Sequence, residues 1–151
     1  MAKFIYEMQN ILDIKYKLEE QAKQEYMSVQ ARLNDAVLTL DRLEERKSSY
    51  MDQYMSMVSD RLYVLEIENC KNSIIIMDEY IDRQQAVIDK IQQELDLAVL
   101  KLNEAMKERK IHEKLRENQF EKFKKELNLE EMKEIDELVS YRYNSLEPED
   151  E

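Results

Sequence analysis

The stretch from Ile74 to Val139 contains no Gly and no Pro, and its apolar residues return at steps of three and four. Ile74, Met77, Ile81, Ile88, Ile91, Leu95, Ala98, Leu102 and Ala105 fall on one stripe that only Gln84 interrupts. Alternating steps of three and four average 3.5, the repeat of a helix that winds around another helix. A stripe this narrow cannot be buried by its own helix. The rest of the chain must therefore supply a partner for it or leave part of it free.

Residues 4 to 57 offer that partner. Phe4, Met8, Ile11, Leu18 and Ala22 form one stripe with Lys15 inside it. The spacing continues through Tyr26, Val29, Leu33, Ala36, Leu40, Leu43, Tyr50, Tyr54 and Met57, with Lys47 as a second polar exception. The lysine stems can lie along the seam while the ammonium groups reach water. Two successive steps of four at Leu18–Ala22–Tyr26 predict a stutter, where the supercoil unwinds locally. Ser59-Asp60 is a good N-cap pair for a second helix. A break at 69–73 is the other option, but a turn near 58–62 gives the better register. Residues whose numbers sum to about 120 then face each other. Leu43 meets Met77, Val29 meets Ile91, Ala22 meets Ala98 and Leu18 meets Leu102.

This reading predicts an all-α fold, a long antiparallel two-helix coiled-coil hairpin with an overhanging C-terminal end of the second helix. Residues 1–146 form a single coiled-coil domain, with helices over about 4–57 and 62–144. An acidic tail at 147–151 is expected to be disordered. The overhang follows from the register. Phe4 falls opposite residues near Arg116, yet Phe120, Phe123, Leu127, Met132, Ile135 and Val139 continue the apolar stripe beyond it. Burial of one such side chain is worth about 1.5–3 kcal/mol. The stripe is either a docking surface or a frayed or self-associating helix end. Residues 101–125 carry nine basic side chains against five acidic, and 126–151 carry ten acidic against two basic. A basic collar beside an acidic end can orient docking, or it can be a solvated helix face.

Composition closes off other classes. A chain with no Gly has no phosphate-cradling glycine loop and no nucleophile elbow. A net charge of −11 disfavours nonspecific nucleic-acid binding. One Cys allows no internal disulfide, and Cys70 is expected to be an inert, semi-buried or exposed thiol. The lone His112, near the seam, cannot build a metal site with it. No apolar run approaches the roughly 20 residues of a membrane span, and Lys3 and Glu7 interrupt any leader-like run. A two-helix hairpin encloses no substrate cavity, so neither an enzyme nor a cofactor is expected. Near the turn, Ile74–Met77 is apolar all round the helix, with Tyr50, Tyr54, Tyr63 and Tyr80 close by in the register. This is either a second binding surface, or a better packed hairpin end or a third short helix folding back.

Two end motifs resemble a known family. Phe4-Ile5-Tyr6-Glu7-Met8-Gln9-Asn10-Ile11-Leu12-Asp13-Ile14-Lys15 is similar to the opening of the FliJ family of flagellar export proteins. Lys114-Leu115-Arg116-Glu117, Gln119-Phe120, Phe123 and Glu131-Met132-Lys133-Glu134-Ile135-Asp136-Glu137 stand in that family's order and spacing. Many members have Gly in the turn, and this chain has none. The resemblance implies an antiparallel two-helix coiled coil similar to the central stalk of rotary ATPases. It implies a part of the type III export apparatus of flagellar motility and chemotaxis, cytoplasmic and peripherally associated with the membrane at the flagellar base. It implies three partners. These are the hexameric export ATPase (FliI), whose assembly and activity the stalk promotes, the export gate protein (FlhA), and export chaperones.

Carried onto this chain, the ATPase contact comprises Phe4, Tyr6, Lys114, Arg116, Phe120, Lys122, Phe123, Lys124, Leu127 and Met132. The gate candidates are Tyr50, Tyr54, Met77, Tyr80 and Gln84, drawn from register and expected exposure. A monomer in isolation is expected. The alternative is a secretion chaperone or a free-standing coiled-coil tether, which would be a stable homodimer or bind one export substrate and leave any ATPase unaffected.

Overall fold

The computed structural model describes residues 3–59 and 64–146. It contains two helices, α1 (Gln9–Val58) and α2 (Val64–Leu146), and no strand among the described residues. The helices pack against each other as a hairpin, in the predicted all-α class. The expected turn at 58–62 and Tyr63 lie largely outside the described residues, as does the tail at 147–151. Helix α1 starts at Gln9, later than the apolar spacing predicts. The Tyr6 carbonyl accepts from the Gln9 N–H at 3.1 Å, and the Met8 carbonyl accepts from Ile11 and Leu12 at 3.0 and 3.1 Å. These bonds satisfy amide groups that a helix N-terminus would leave unpaired. At the other end of α2 the Ser145 hydroxyl donates to the Arg142 carbonyl at 2.9 Å.

Contacts group the chain into two units, residues 20–104 and residues 1–19 with 105–151. In the first unit the buried and half-buried positions of α1 are Ala22, Tyr26, Val29, Leu33, Ala36, Leu40, Leu43, Lys47, Tyr50, Tyr54 and Met57, apart from Gln30. Those of α2 include Ile67, Cys70, Ile74, Met77, Ile81, Gln84, Ile88, Ile91, Leu95, Ala98 and Leu102. Both sets keep alternating steps of three and four, so each helix presents one continuous stripe. Val29, Ala36, Ile91 and Leu95 form the central cluster, with Tyr26, Leu33 and Ile88 packed against it. The Gln84 amide donates to the Ala36 carbonyl at 2.9 Å, and the Cys70 thiol donates to the Tyr50 carbonyl at 3.1 Å. Both pairs fit the predicted sum of 120. Cys70 is buried, contrary to the expected semi-buried or exposed thiol, because it sits on the heptad. Ion pairs Lys47–Asp78 (2.6 Å), Arg32–Glu94 (2.8 Å) and Lys101–Glu25 (3.5 Å) flank the seam. Exposed pairs of this kind contribute little energy each, and they favour one register over its neighbours.

The predicted stutter is absent. The seam passes through Leu12, Lys15, Glu19 and Ala22, and Leu12 is only 2% exposed. Ile11 and Leu18, placed on the stripe by their apolar character, are both exposed. The heptad steps are uniform, and the local conflict disappears once Glu19 replaces Leu18 in the seam.

A seam this thin makes each core side chain consequential. Leu95→Ala is expected to lower the unfolding free energy by about 2–5 kcal/mol. Leu97→Ala, on the exposed face, should change it by no more than about 0.5 kcal/mol. Urea unfolding followed by circular dichroism checks the contrast.

Candidate functional site

The second unit joins the start of the chain to the C-terminal part of α2, and its seam is polar where the other is apolar. Glu19 and Arg109 occupy facing seam positions. Arg109 Nε lies 2.5 Å from Glu19 Oε2, and Arg109 Nη1 lies 2.9 Å from Glu113 Oε2. The Tyr16 hydroxyl donates to Glu113. Lys15 Nζ approaches Glu108 at 3.5 Å. His112 is also in the seam, with Nε2 4.0 Å from Glu108 and its Nδ1 buried without a partner. Apolar spacing places Lys15 in the stripe and His112 near the seam but passes over Glu19 and Arg109, which strict heptad steps from Ala22 and Ala105 reach.

The network shifts the groups within it. The Tyr16 hydroxyl bond holds the Glu113 carboxyl below its ordinary value. Partial burial opposes this, and Arg109 adds to it. The same bond, with burial and the Glu113 charge, raises the Tyr16 phenol. Hydrogen bonding to Glu19 raises Arg109. A depressed carboxyl stabilises the fold above its unfolded-state value, and that stabilisation is lost as pH falls through the folded-state value.

Next to the polar layer lies an aromatic cluster. Residues 3–8 precede α1 in a non-helical path against α2. The Phe4 ring meets Phe120 edge-on at 5.1 Å between centroids, and meets Phe123 at 5.4 Å with a 49° tilt. Such offset and edge contacts are the favoured aromatic geometries. The Arg116 guanidinium sits 5.9 Å from the Phe4 centroid, and its Nε donates to Gln9 Oε1 at 3.0 Å. Lys124 Nζ lies 4.8 Å from the Phe120 centroid. A shallow groove beside the cluster is lined by Phe4, Ile5, Tyr6, Glu7, Met8, Leu115 and Gln119. The Tyr6 hydroxyl is buried and has no partner.

The structure thus brings Phe4, Arg116, Phe120, Phe123 and Lys124 together. Phe120 and Phe123, which the register left without a partner, have one in Phe4. Lys114 and Lys122 are exposed, and Lys114 is 3.6 Å from Glu117. Leu127 is half-buried. From there the apolar side chains are open. Met132 is 62% exposed and Ile135 57%, with Leu129, Leu138, Val139, Tyr141 and Tyr143 similarly free. Met132, Ile135 and Val139 are legible in the sequence as one stripe, and the others are not because they lie off it.

The gate candidates are not one surface. Met77 is buried at 8% exposure, and the Gln84 amide is spent on the Ala36 carbonyl, so both belong to the hairpin interior. Tyr50 and Tyr54 are half-buried on the seam. Tyr80 is exposed, with the Arg83 guanidinium 5.9 Å from its ring, and Ile75 and Ile76 beside it in sequence are open as well. Register selected the residues that face the partner helix, which are the ones least free to meet anything else.

Among the described residues no group of three or more His, Cys, Asp or Glu could hold a metal ion. Among the described residues no helix is long and apolar enough to cross a membrane. The family model described as "FliJ: Flagellar FliJ protein" matches residues 4–147. No curated protein and no solved structure matches the chain.

The Glu113 bonds give a pH prediction. Wild type should be more stable than Glu113→Gln at neutral pH, and the gap should close as pH falls below the ordinary glutamate value and through the depressed folded-state one. Urea midpoints of both proteins across that range check it.

Proposed function

The chain belongs to the FliJ family, and from that premise we propose that it is the stalk of the flagellar export apparatus that enters the ring of the export ATPase. It promotes ring assembly and activity, links the ring to the export gate, and hands on export chaperones. It works at the cytoplasmic base of the flagellum, peripherally associated with the membrane, and is a monomer when isolated.

The observation that carries this reading is the open end of α2. Leu129, Met132, Ile135, Leu138 and Val139 are all more than half exposed on one helix. Covering each gains about 1.5–3 kcal/mol, so a partner that closes over the helix binds it strongly. The neighbouring collar of Lys114, Arg116, Lys122 and Lys124, followed by an acidic stretch, gives such a partner a direction of approach. Phe120, Phe123, Leu127 and Met132 then face the ring. Phe4 and Tyr6 lie beside them, with Phe4 stacked on Phe120 and Phe123. For the gate, Tyr80 with Ile75 and Ile76 supplies an exposed surface. Tyr50 and Tyr54 contribute their outer edges, and Met77 and Gln84 act only by holding the helices in register.

The test is stimulation of the cognate ring ATPase. Met132→Ala with Ile135→Ala removes side chains that are largely solvated, so stability should shift by no more than about 0.5 kcal/mol per site. Stimulation by the double variant should fall to a small fraction of wild type. Undiminished stimulation would overturn the assignment of this surface.

A further inference from the structure

The aromatic cluster is held together by a segment that is itself weakly held. Residues 3–8 are not helical, and among the described residues only the Tyr6 and Met8 carbonyls make backbone hydrogen bonds outside helices. Ile5 is 77% exposed, and Phe4, the residue that anchors the segment, is only half-buried. The Tyr6 hydroxyl is buried with no partner, an unfavourable contact that water would relieve on release. The Phe4 ring stacks on two others and holds the segment, and the unsatisfied Tyr6 hydroxyl works against it.

We propose that residues 3–8 form a displaceable strap, and that the slot it fills between Phe120 and Phe123 receives an aromatic side chain flanked by a carboxylate from the partner. The strap is the template for that ligand. Phe4 inserts an aromatic edge between the two rings. The Arg116 guanidinium lies 5.9 Å from the Phe4 ring and Lys124 Nζ 4.8 Å from the Phe120 ring, so two cations border the slot. An aromatic ring satisfies the slot by edge and tilted stacking, and cations near the rings favour a carboxylate beside it. The free protein masks its own slot, which keeps the phenylalanines from wrong partners until a better ligand displaces Phe4. The choice of ring protein as the source of that ligand rests on the proposed stalk function.

A masked site binds more weakly by the fraction of time it is open. Phe4→Ala should therefore lower the concentration of full-length protein needed for half-maximal ring stimulation by about five- to tenfold, if the strap is docked most of the time. Phe4→Ala combined with Phe123→Ala should lose that gain. Unchanged or weaker action by Phe4→Ala would overturn the strap. A second measurement does not depend on the ring. The chain has three phenylalanines, so fluorophenylalanine labelling gives three fluorine resonances, assigned by single substitution. Excess peptide of sequence Lys-Phe-Ile-Tyr-Glu-Met should move the Phe4 resonance to its solvent position. If the peptide does so while wild type fails to stimulate the ring, the stalk reading fails and the slot stands. If the peptide leaves the Phe4 resonance in place, the slot proposal fails.

Discussion

Everything in this molecule depends on a seam one residue wide. A two-stranded coil has no interior beyond the positions that repeat at steps of three and four, so any residue at such a position faces the other helix whatever its chemistry. In residues 20–104 those positions are filled by Val29, Leu33, Ala36, Ile88, Ile91 and Leu95, and burial holds the helices together. In the unit made of residues 1–19 and 105–151 the same positions carry Lys15, Glu19, Arg109 and His112. There the helices are held by directional bonds, among them the two-point contact of Arg109 with Glu19 and Glu113. A polar seam position specifies register at a cost in stability, because a shift of pairing would strand the charges.

That difference explains which parts of the fold were legible. The apolar stretches announced themselves. The steps from Val29 to Met57 and from Ile74 to Ala105 predicted the helices, their antiparallel pairing and a register that Gln84–Ala36 and Cys70–Tyr50 match. Where the seam turns polar, following apolar residues led off it. Apolar character favours Leu18 over Glu19 and Ile11 over Leu12, and the stutter it predicts follows from that choice. The period was intact, and only the chemistry had changed. Two of the gate candidates lie inside the hairpin for the converse reason. Met77 and Gln84 fit the register, and fitting the register is what buries them wholly or in part.

The start of the chain was illegible for a third reason. Phe4 and Met8 are in phase with the first helix, and periodicity alone carries the helix through them. Aromatic and β-branched residues such as Phe4, Ile5 and Tyr6 favour helix only weakly, so a modest tertiary gain overrides them. Phe4 finds that gain against Phe120 and Phe123 by leaving the helix at Gln9. The sequence placed these three rings at one end of the molecule without showing that they touch. Contact between them needed a backbone path that no repeat encodes.

The open stretch of α2 lies beyond the polar seam. Its apolar residues are exposed at a standing cost in solubility. Ten acidic side chains against two basic in residues 126–151 offset that cost by keeping copies apart. The register accounts for the exposure. Phe4 already meets Phe120 and Phe123, so none of the described residues is left to face Met132 and Ile135, and the apolar seam of residues 20–104 holds that alignment.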